Sequence, residues 1–366
     1  MTSKLVLTFL GLGIFANFSF AKIPDRLLPT EKEKTAFLNE ADDFIDDMAE
    51  GLQDRQCDAV LHSIRGEGAE LMRIRMSRNE EVALSSNVER KDLTGDGAAR
   101  GLQMRLYKPS TAGKDGAKIP LLVYLHGGGW TFGSINSCSL FCDALASNEN
   151  VMVLAVDYRL APENPFPAGL MDCVSAVEYA MSHAEEWGSS QELVSLGGDS
   201  SGGNLAVAAS LYLQDQAKLS PIKSLVLFYP VVKAYADGSS SWKEYSRGYG
   251  LNSRLMNSFN EAYAGSSVAT GSTQNKEKSE NHNPLVSPAE AEKSQLAKLP
   301  PVLIIGAERD ILYDQGKEFA SVLHQSGNSV EHITFPGSVH LFITVKGQPT
   351  AFSKAVTLSG AFLWDK

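Results

Sequence analysis

The sequence predicts an α/β fold, with a mostly parallel eight-stranded sheet flanked by helices and covered by a helical cap. From about residue 120, short apolar segments alternate with helical patterns, as strands joined by crossover helices do. The run Pro120–Leu125 is apolar throughout, which is typical of a strand buried on both faces. Residues 22–84, which precede the first strand, and the polar stretch Lys233–Pro300 lie outside this alternation, and we predict that they form the cap.

The strands and helices can be placed in order from these patterns. The first strand begins near Asn87, and the later ones are predicted at Gly101–Tyr107, Pro120–Leu125, Val151–Asp157, Glu192–Leu196, Ser224–Tyr229, Val302–Gly306 and Val330–Phe335. In the second strand, alternating apolar residues indicate an antiparallel edge hairpin. Helices are predicted at Pro167–Glu186, Asn204–Gln214 and Gln315–Gln325 and from about Thr350.

The cap is predicted in two pieces. Residues 22–84 form an acidic amphipathic segment, in which apolar residues recur at helical spacing: Phe37, Ala41, Phe44, Ile45 and Met48. The second piece is an insertion of about residues 235–290 within the domain of residues 85–366. A long excursion of this kind is usually a functional lid or a mobile loop, and the N-terminal segment is compatible with a solvated bundle as well as with a lid. We predict that both pieces cover the mouth of the site.

Composition and charge limit the classes of binding partner that the protein is expected to have. The chain has 366 residues, 43% of them hydrophobic, which is enough for a large core. A formal net charge of −10 without a basic stripe argues against nucleic acid and anionic membranes. We predict no cofactor and no metal, and we interpret most of the cysteines as free buried thiols: Cys57, Cys138, Cys142 and Cys173.

Residues 1–21 are predicted to be a signal peptide. Lys4 supplies a positive start, Leu5–Phe20 carries no charge, and Ser19-Phe20-Ala21 has small residues at the positions that determine cleavage. A membrane helix needs about 20 apolar residues, and this run is shorter. We therefore expect cleavage near Ala21, export to the periplasm or the cell exterior, and no stable membrane anchor.

The central motif is Gly198-Asp199-Ser200-Ser201-Gly202, which matches G-x-S-x-G. A nucleophilic serine on a sharp turn between strand and helix has a strained backbone, and its neighbours must be small for the turn to close. The turn raises the Ser200 hydroxyl above the sheet edge and directs the first N–H groups of the helix towards developing negative charge.

A second motif, His126-Gly127-Gly128-Gly129-Trp130, follows the strand Pro120–Leu125. Consecutive glycines allow the backbone to approach a ligand and to expose its N–H groups. Acyl transfer needs such donors about 3 Å from the oxyanion of the tetrahedral intermediate. A loop at the carboxyl end of a buried strand is the usual location of a site in such sheets.

The remaining requirements are a base and an acid, in the order serine, acid, histidine. His340 is the only histidine after the last predicted strand, and it lies at the same sheet edge as Ser200. The preceding strand is followed by three candidate acids, Glu308, Asp310 and Asp314, and the residues alone do not choose among them.

Together the motifs resemble the hormone-sensitive-lipase-like, or family IV, esterases of the α/β-hydrolase fold over about residues 85–360. The resemblance depends on His126–Trp130, Asp157–Glu163, Gly198–Ala206, Asp310–Asp314 and His340–Phe342. Two small departures are Ser201 in place of the usual alanine and Ile311 in place of the common proline.

The resemblance implies a serine carboxylesterase that hydrolyses short- to medium-chain acyl esters through an acyl-enzyme. It implies Ser200 as nucleophile, Asp310 as acid and His340 as base, with an oxyanion hole formed by the N–H groups of Gly127, Gly128 and Ser201. The predicted partner is a small-molecule ester, and a homodimer is compatible with the sequence. The alternative is a non-catalytic ligand-binding member of the same fold. A trypsin-like protease does not fit, because its catalytic residues follow the order His, Asp, Ser.

Overall fold

The computed structural model describes residues 22–77, 83, 85–216, 222–265 and 280–365. The predicted signal peptide, residues 1–21, lies outside the described residues. So do residues 78–82 and 84 of the predicted N-terminal cap segment and residues 266–279 of the predicted insertion.

The predicted fold class is confirmed: one sheet of eight strands has the order β1-β2-β4-β3-β5-β6-β7-β8. The strands are β1 (Val88–Thr94), β2 (Gln103–Pro109), β3 (Leu121–Leu125), β4 (Met152–Val156), β5 (Val194–Asp199), β6 (Leu225–Phe228), β7 (Val302–Arg309) and β8 (Val330–Val339). Strand β2 is antiparallel to both of its neighbours, and all other pairs are parallel. The carboxyl ends of β3, β5, β7 and β8 therefore meet at one edge.

Two predictions about strands need correction. The predicted antiparallel hairpin at the sheet edge is present as β1 and β2, but β1 takes the edge position and residues Met104–Tyr107 of β2 are all buried instead of alternating. Strand β8 continues to Val339, four residues beyond the predicted end at Phe335. The irregular pairing between Ala307 and Arg309 of β7 accommodates the extension, so His340 follows the strand directly.

Eleven α-helices are present in the described part of the chain. They are α1 (Glu31–Asp46), α2 (Leu52–Ile64), α3 (Ala69–Ser77), α4 (Ser139–Glu149), α5 (Ala168–Trp187), α6 (Ser201–Gln216), α7 (Ser240–Glu244), α8 (Ser253–Ala264), α9 (Lys293–Leu296), α10 (Tyr313–Gln325) and α11 (Pro349–Trp364). None of these helices is long and apolar enough to cross a membrane.

Two apolar layers enclose the sheet. In β3, Leu121, Val123 and Leu125 face the layer that contains α5, α6 and α10. Leu122 and Tyr124 face the opposite layer, which contains α4 and α11. Burial on both faces explains why the sequence of β3 is apolar without interruption.

The helices of the N-terminal segment separate into two groups. Helix α1 packs against β8 and α11 at the sheet edge, where Phe37 stacks on Phe335 with the ring centroids 4.7 Å apart. Helix α2 packs instead against α8 of the insertion. The assignment of residues 22–84 to a cap stays a prediction. Helix α1 already packs its buried face against the sheet edge, so this face does not cover the site.

Candidate active site

The turn between β5 and α6 holds Ser200 in a constrained conformation. Ser200 has φ 54°, a left-handed angle that costs a non-glycine residue about 1–3 kcal/mol. A Cβ atom at Gly202 would lie 1.9 Å from the carbonyl oxygen of Leu125, and one at Gly198 would lie 2.3 Å from the same atom. The two glycines of the motif are therefore required because the turn packs directly on the end of β3.

Three side chains from three loops meet at the sheet edge. The Nε2 atom of His340 lies 3.1 Å from the hydroxyl oxygen of Ser200. The Nδ1 atom of His340 lies 2.5 Å from Oδ2 of Asp310. All three residues are buried, with 5% or less of their surface exposed. The ring of Tyr229 packs against the imidazole at 4.3 Å and limits its rotation.

The structure chooses among the three candidate carboxylates. Asp310 is the one that contacts His340, and its other oxygen, Oδ1, accepts a hydrogen bond from the N–H of Leu312 at 3.0 Å. Glu308 accepts from the N–H of Gly337 at 2.7 Å, and Asp314 accepts from the N–H of Ser241 at 2.9 Å. Those two acids therefore hold neighbouring loops in place.

The glycine loop requires one correction to the predicted oxyanion hole. The N–H of Gly127 donates to Oδ1 of Asp199 at 3.0 Å, so it cannot donate to a bound oxyanion. Among the described residues, the N–H groups of Gly128 and Gly129 have no acceptor. Ser201 is the first residue of α6, where an N–H has no partner within the helix.

Asp199 is a buried residue that the sequence did not single out. Its Oδ1 accepts from the Tyr124 hydroxyl at 2.9 Å as well as from Gly127, while Oδ2 has no hydrogen-bond partner in the described structure. Burial raises the pKa of Asp199 to about 6. The position of Asp199 inside the motif beside Ser200 could have indicated a role in the site, but the sequence did not show which loop its side chain contacts.

His126 and Tyr158 pack together beside the glycine loop of residues 127–129. The two rings stack with centroids 4.3 Å apart, and the Tyr158 hydroxyl donates to the carbonyl oxygen of His126 at 2.6 Å. Burial lowers the pKa of His126, so its imidazole is neutral at pH 7. Both side chains therefore hold the start of the glycine loop in place.

Helix α8 covers the glycine loop. The ring of Phe259 occupies the space beside Gly129, where a Cβ atom would lie 2.1 Å from it. The ring of Tyr263 stacks on Trp130 at 4.4 Å with an interplanar angle of 2°. The loop therefore lies between β3, the motif of Ser200 and the insertion.

This arrangement suits acyl transfer. A serine hydroxyl, a histidine that can accept its proton and a carboxylate that orients the histidine form a nucleophilic relay. Free backbone N–H groups on both sides of Ser200 can stabilise a tetrahedral oxyanion. Within the described residues, no group of histidine, cysteine or acidic side chains could hold a metal ion. All four cysteines are free and buried.

Fold and site together define the class of protein, an α/β hydrolase with a serine nucleophile motif. A family described as "alpha/beta hydrolase fold" matches residues 122–344, which is more than half of the chain. The chain belongs to this family, and the resemblance to its hormone-sensitive-lipase-like esterases is confirmed.

Named relatives are similar over most of the chain. An arylesterase from Saccharolobus solfataricus is 33% identical over 267 residues, which cover 72% of this chain and 79% of the arylesterase. The ethyl acetate hydrolase from Pseudomonas putida is 34% identical over 242 residues, 66% of this chain and 71% of that protein.

Solved structures agree with the fold. An ester hydrolase from the metagenome of Lake Arreo, complexed with a derivative of bipyridine phosphonate, has a TM-score of 0.70 at 27% identity and covers 89% of this chain and 98% of that one. A carboxyl esterase from the fungus Tuber melanosporum has a TM-score of 0.68 at 27% identity, covering 77% and 88%.

Proposed function

We propose that the protein is a serine carboxylesterase that hydrolyses short- to medium-chain acyl esters. The family and its named esterases make it a carboxylic ester hydrolase. The observation that supports the proposed mechanism is the chain of contacts from Ser200 through His340 to Asp310. The name of one relative, ethyl acetate hydrolase, supports the proposal that the substrates of this protein carry small acyl groups.

The proposed reaction has two steps. His340 Nε2 accepts the proton of the Ser200 hydroxyl as its oxygen attacks the ester carbonyl, and Asp310 stabilises the imidazolium that forms. The N–H groups of Gly128, Gly129 and Ser201 stabilise the tetrahedral oxyanion. The imidazolium then returns its proton to the leaving alcohol, and water hydrolyses the acyl-enzyme by the same sequence of proton transfers.

The experiment that tests this proposal is a series of p-nitrophenyl esters from acetate to decanoate, beside a peptide substrate. We expect the highest kcat/KM at short or medium acyl length and no peptide cleavage. Ser200→Ala should lower kcat at least a thousandfold, and adding His340→Ala should lower it little further, because the two residues act as a unit. A Ser200→Ala enzyme that retains a few per cent of activity would refute the assignment.

The alternative, a non-catalytic ligand-binding protein, would show bound ester without turnover. No contact in the described site favours it, because the relay from Ser200 to Asp310 is complete. Mass spectrometry after incubation with a p-nitrophenyl alkylphosphonate, from which an activated serine displaces p-nitrophenolate, distinguishes the two functions. A serine esterase gains one phosphonyl group on Ser200, whereas a binding protein gains none.

Export is a separate proposal, supported by the charged start, the uncharged run and the small residues that end at Ala21. N-terminal sequencing of protein from the periplasm or the medium should give a chain that begins at Lys22. An intact Met1 terminus in the membrane fraction would indicate an anchor instead.

A further inference from the structure

One arginine of the N-terminal segment is clamped onto the loops that surround the site. Near the end of α3, Arg75 donates from Nε to the carbonyl oxygen of Thr131 at 2.7 Å and from Nη2 to that of Ala161 at 2.8 Å. Its Nη1 and Nη2 atoms also donate to the two carboxylate oxygens of Glu163, each at 3.0 Å. The planar guanidinium fork makes four bonds to these loops at once, which a lysine cannot do.

One of these carbonyl groups, that of Thr131, belongs to the turn that carries the proposed oxyanion donors, and Ala161 is hydrogen-bonded to this turn. The N–H groups of Thr131 and Phe132 both donate to the carbonyl of Gly128, at 3.1 and 2.8 Å, and close the turn. The N–H of Ala161 donates to the carbonyl of Trp130 at 2.9 Å. Arg75 therefore holds the turn directly through Thr131 and indirectly through Ala161.

The turn needs such support because its backbone is strained. Trp130 has φ 57°, and a non-glycine residue in this left-handed region costs about 1–3 kcal/mol unless the surroundings fix it. Tyr263 fixes the indole ring from α8, and Arg75 fixes the following carbonyl from α3. Both supports come from outside the sheet.

We propose that Arg75 is a positioning residue for the oxyanion hole. It holds the turn that begins at Gly128, so that the N–H groups of Gly128 and Gly129 stay aligned with the developing oxyanion. It touches no reacting atom itself. The inference rests on the proposed esterase function, and it makes the segment before the sheet a determinant of the rate of acyl transfer as well as a cover.

The test is kinetic and uses the full enzyme. Arg75→Ala should lower kcat about ten- to a hundredfold, because a displacement of about 1 Å at a donor loop has an effect of this size. KM for p-nitrophenyl acetate should change less than threefold. Arg75→Lys keeps the charge but loses the fork, so its kcat should lie between those of the wild type and Arg75→Ala.

A second measurement separates alignment from general loosening. A trifluoromethyl ketone forms a tetrahedral adduct with the serine, and its oxyanion uses the same N–H groups. Its Ki should therefore rise in Arg75→Ala by the same factor by which kcat/KM falls. A purely structural role would lower the melting temperature without this proportional change.

The matched control is Arg254→Ala. Arg254 on α8 is also a cap arginine paired with carboxylates, but these are Asp54 and Asp58 of α2. Its removal takes the same charge from the same region, and kcat should stay within twofold of the wild type. Glu163→Gln leaves both carbonyl bonds of Arg75 available, so it should lose less activity than Arg75→Ala.

Several results would overturn the proposal. One is a higher KM in Arg75→Ala with unchanged kcat and unchanged ketone Ki, and another is an equal loss in Arg254→Ala. If Arg75→Ala does not fold, Arg75→Lys replaces it in the test, at a temperature where circular dichroism shows that this variant is folded. A kcat and a ketone Ki equal to those of the wild type would then also reject the proposed role. Failure of the esterase proposal is recognised separately, because Ser200→Ala would then remain active.

Discussion

The carboxyl edge of the sheet and the helices of the predicted cap are held in place by different interactions. At the edge, Gly198 and Gly202 pack so closely on the carbonyl of Leu125 that a single added carbon would collide with the backbone. In the cap, α2 and α8 are joined partly by side-chain ion pairs such as Arg254 with Asp58, in which both side chains are more than half exposed. Backbone contacts therefore fix the edge, and side chains that water can reach hold part of the cap.

The difference predicts unequal tolerance to mutation. An exposed ion pair contributes about 0–1 kcal/mol, so individual contacts between α2 and α8 can be lost with little effect. A collision with the main chain at the nucleophile turn has no such compensation, because the carbonyl at the end of β3 cannot move without breaking the sheet. The exception in the cap is Arg75, which is largely buried and bonds to main-chain carbonyls.

The largest expected effect at the edge comes from the acid. Asp310→Asn should lower kcat about 10⁴-fold, because the asparagine amide no longer holds the correct tautomer of His340 or stabilises its cation. Glu308→Gln, at the end of β7, and Asp314→Asn, at the start of α10, are matched controls that remove the same charge on either side of the Asp310 loop, and they should stay within tenfold of the wild type. Steady-state kinetics on one ester decides the point. Activity of Asp310→Asn above a tenth of the wild type would mean that another group orients the histidine.

The next effect concerns the other region and tests whether α1 acts as a lid or as part of the core. Phe37 is fully buried against Phe335, so Phe37→Ala should lower the free energy of unfolding by about 3–5 kcal/mol. Its neighbour Leu38 is 43% exposed, and Leu38→Ala should cost less than about 1 kcal/mol. Denaturant melts measure both. In Phe37→Ala, selectivity across acyl lengths should stay unchanged well below the melting temperature, and a shift in selectivity would restore the lid interpretation of α1.

The meeting of the proposed catalytic side chains at one sheet edge could be predicted from the sequence, because each follows a strand of the mostly parallel sheet. The choice of Asp310 over Glu308 and Asp314 came from the family resemblance and not from the residues alone. Ser200, Asp310 and His340 follow β5, β7 and β8, and parallel strands bring their carboxyl ends to one edge. The role of each main-chain N–H could not be predicted in the same way. Three consecutive glycines have identical side chains, and only the fold shows that Asp199 takes the N–H of Gly127.

The packing of the segment before the sheet was harder to predict for a related reason. An amphipathic pattern shows that α1 has an apolar face, but the surface that covers this face is a tertiary contact. Phe37 could have rested over the site or against β8, and the pattern is the same in both cases. Likewise, nothing in the local sequence of Arg75 indicates bonds to Thr131 and Ala161, which lie 56 and 86 residues away.

A smaller effect, in stability, should come from Asp199. Its pKa rises from an ordinary value of 3.8 to about 6 in the folded protein, so the folded state binds more protons than the unfolded state between these pH values. Stability from this group is present below about pH 4 and is lost as the pH rises through 6, by about 3 kcal/mol in total.

Asp199→Asn should remove that loss. The amide oxygen can still accept from Gly127 and Tyr124, and its NH₂ group replaces an oxygen that has no hydrogen-bond partner in the described structure. Urea melts of both proteins between pH 4 and pH 8 test the sign. The free energy of unfolding of the variant minus that of the wild type should increase as the pH rises. A difference that is independent of pH would show that Asp199 titrates normally.

The smallest effect is expected at Ser201, and it separates main chain from side chain within the proposed oxyanion hole. The Ser201 hydroxyl is buried and makes no well-formed hydrogen bond among the described residues, and its one polar contact is with the Tyr158 side chain, so Ser201→Ala removes at most a weak interaction. The N–H at the start of α6 is unchanged by the substitution. We therefore expect kcat within twofold of the wild type and a free energy of unfolding that is equal or slightly higher, because a buried hydroxyl without a well-formed hydrogen bond is unfavourable. Kinetics with p-nitrophenyl acetate and urea melts measure both quantities. A fall in kcat of tenfold or more would show that the hydroxyl acts on the oxyanion or on Ser200, and the donor at this position would then be partly a side chain.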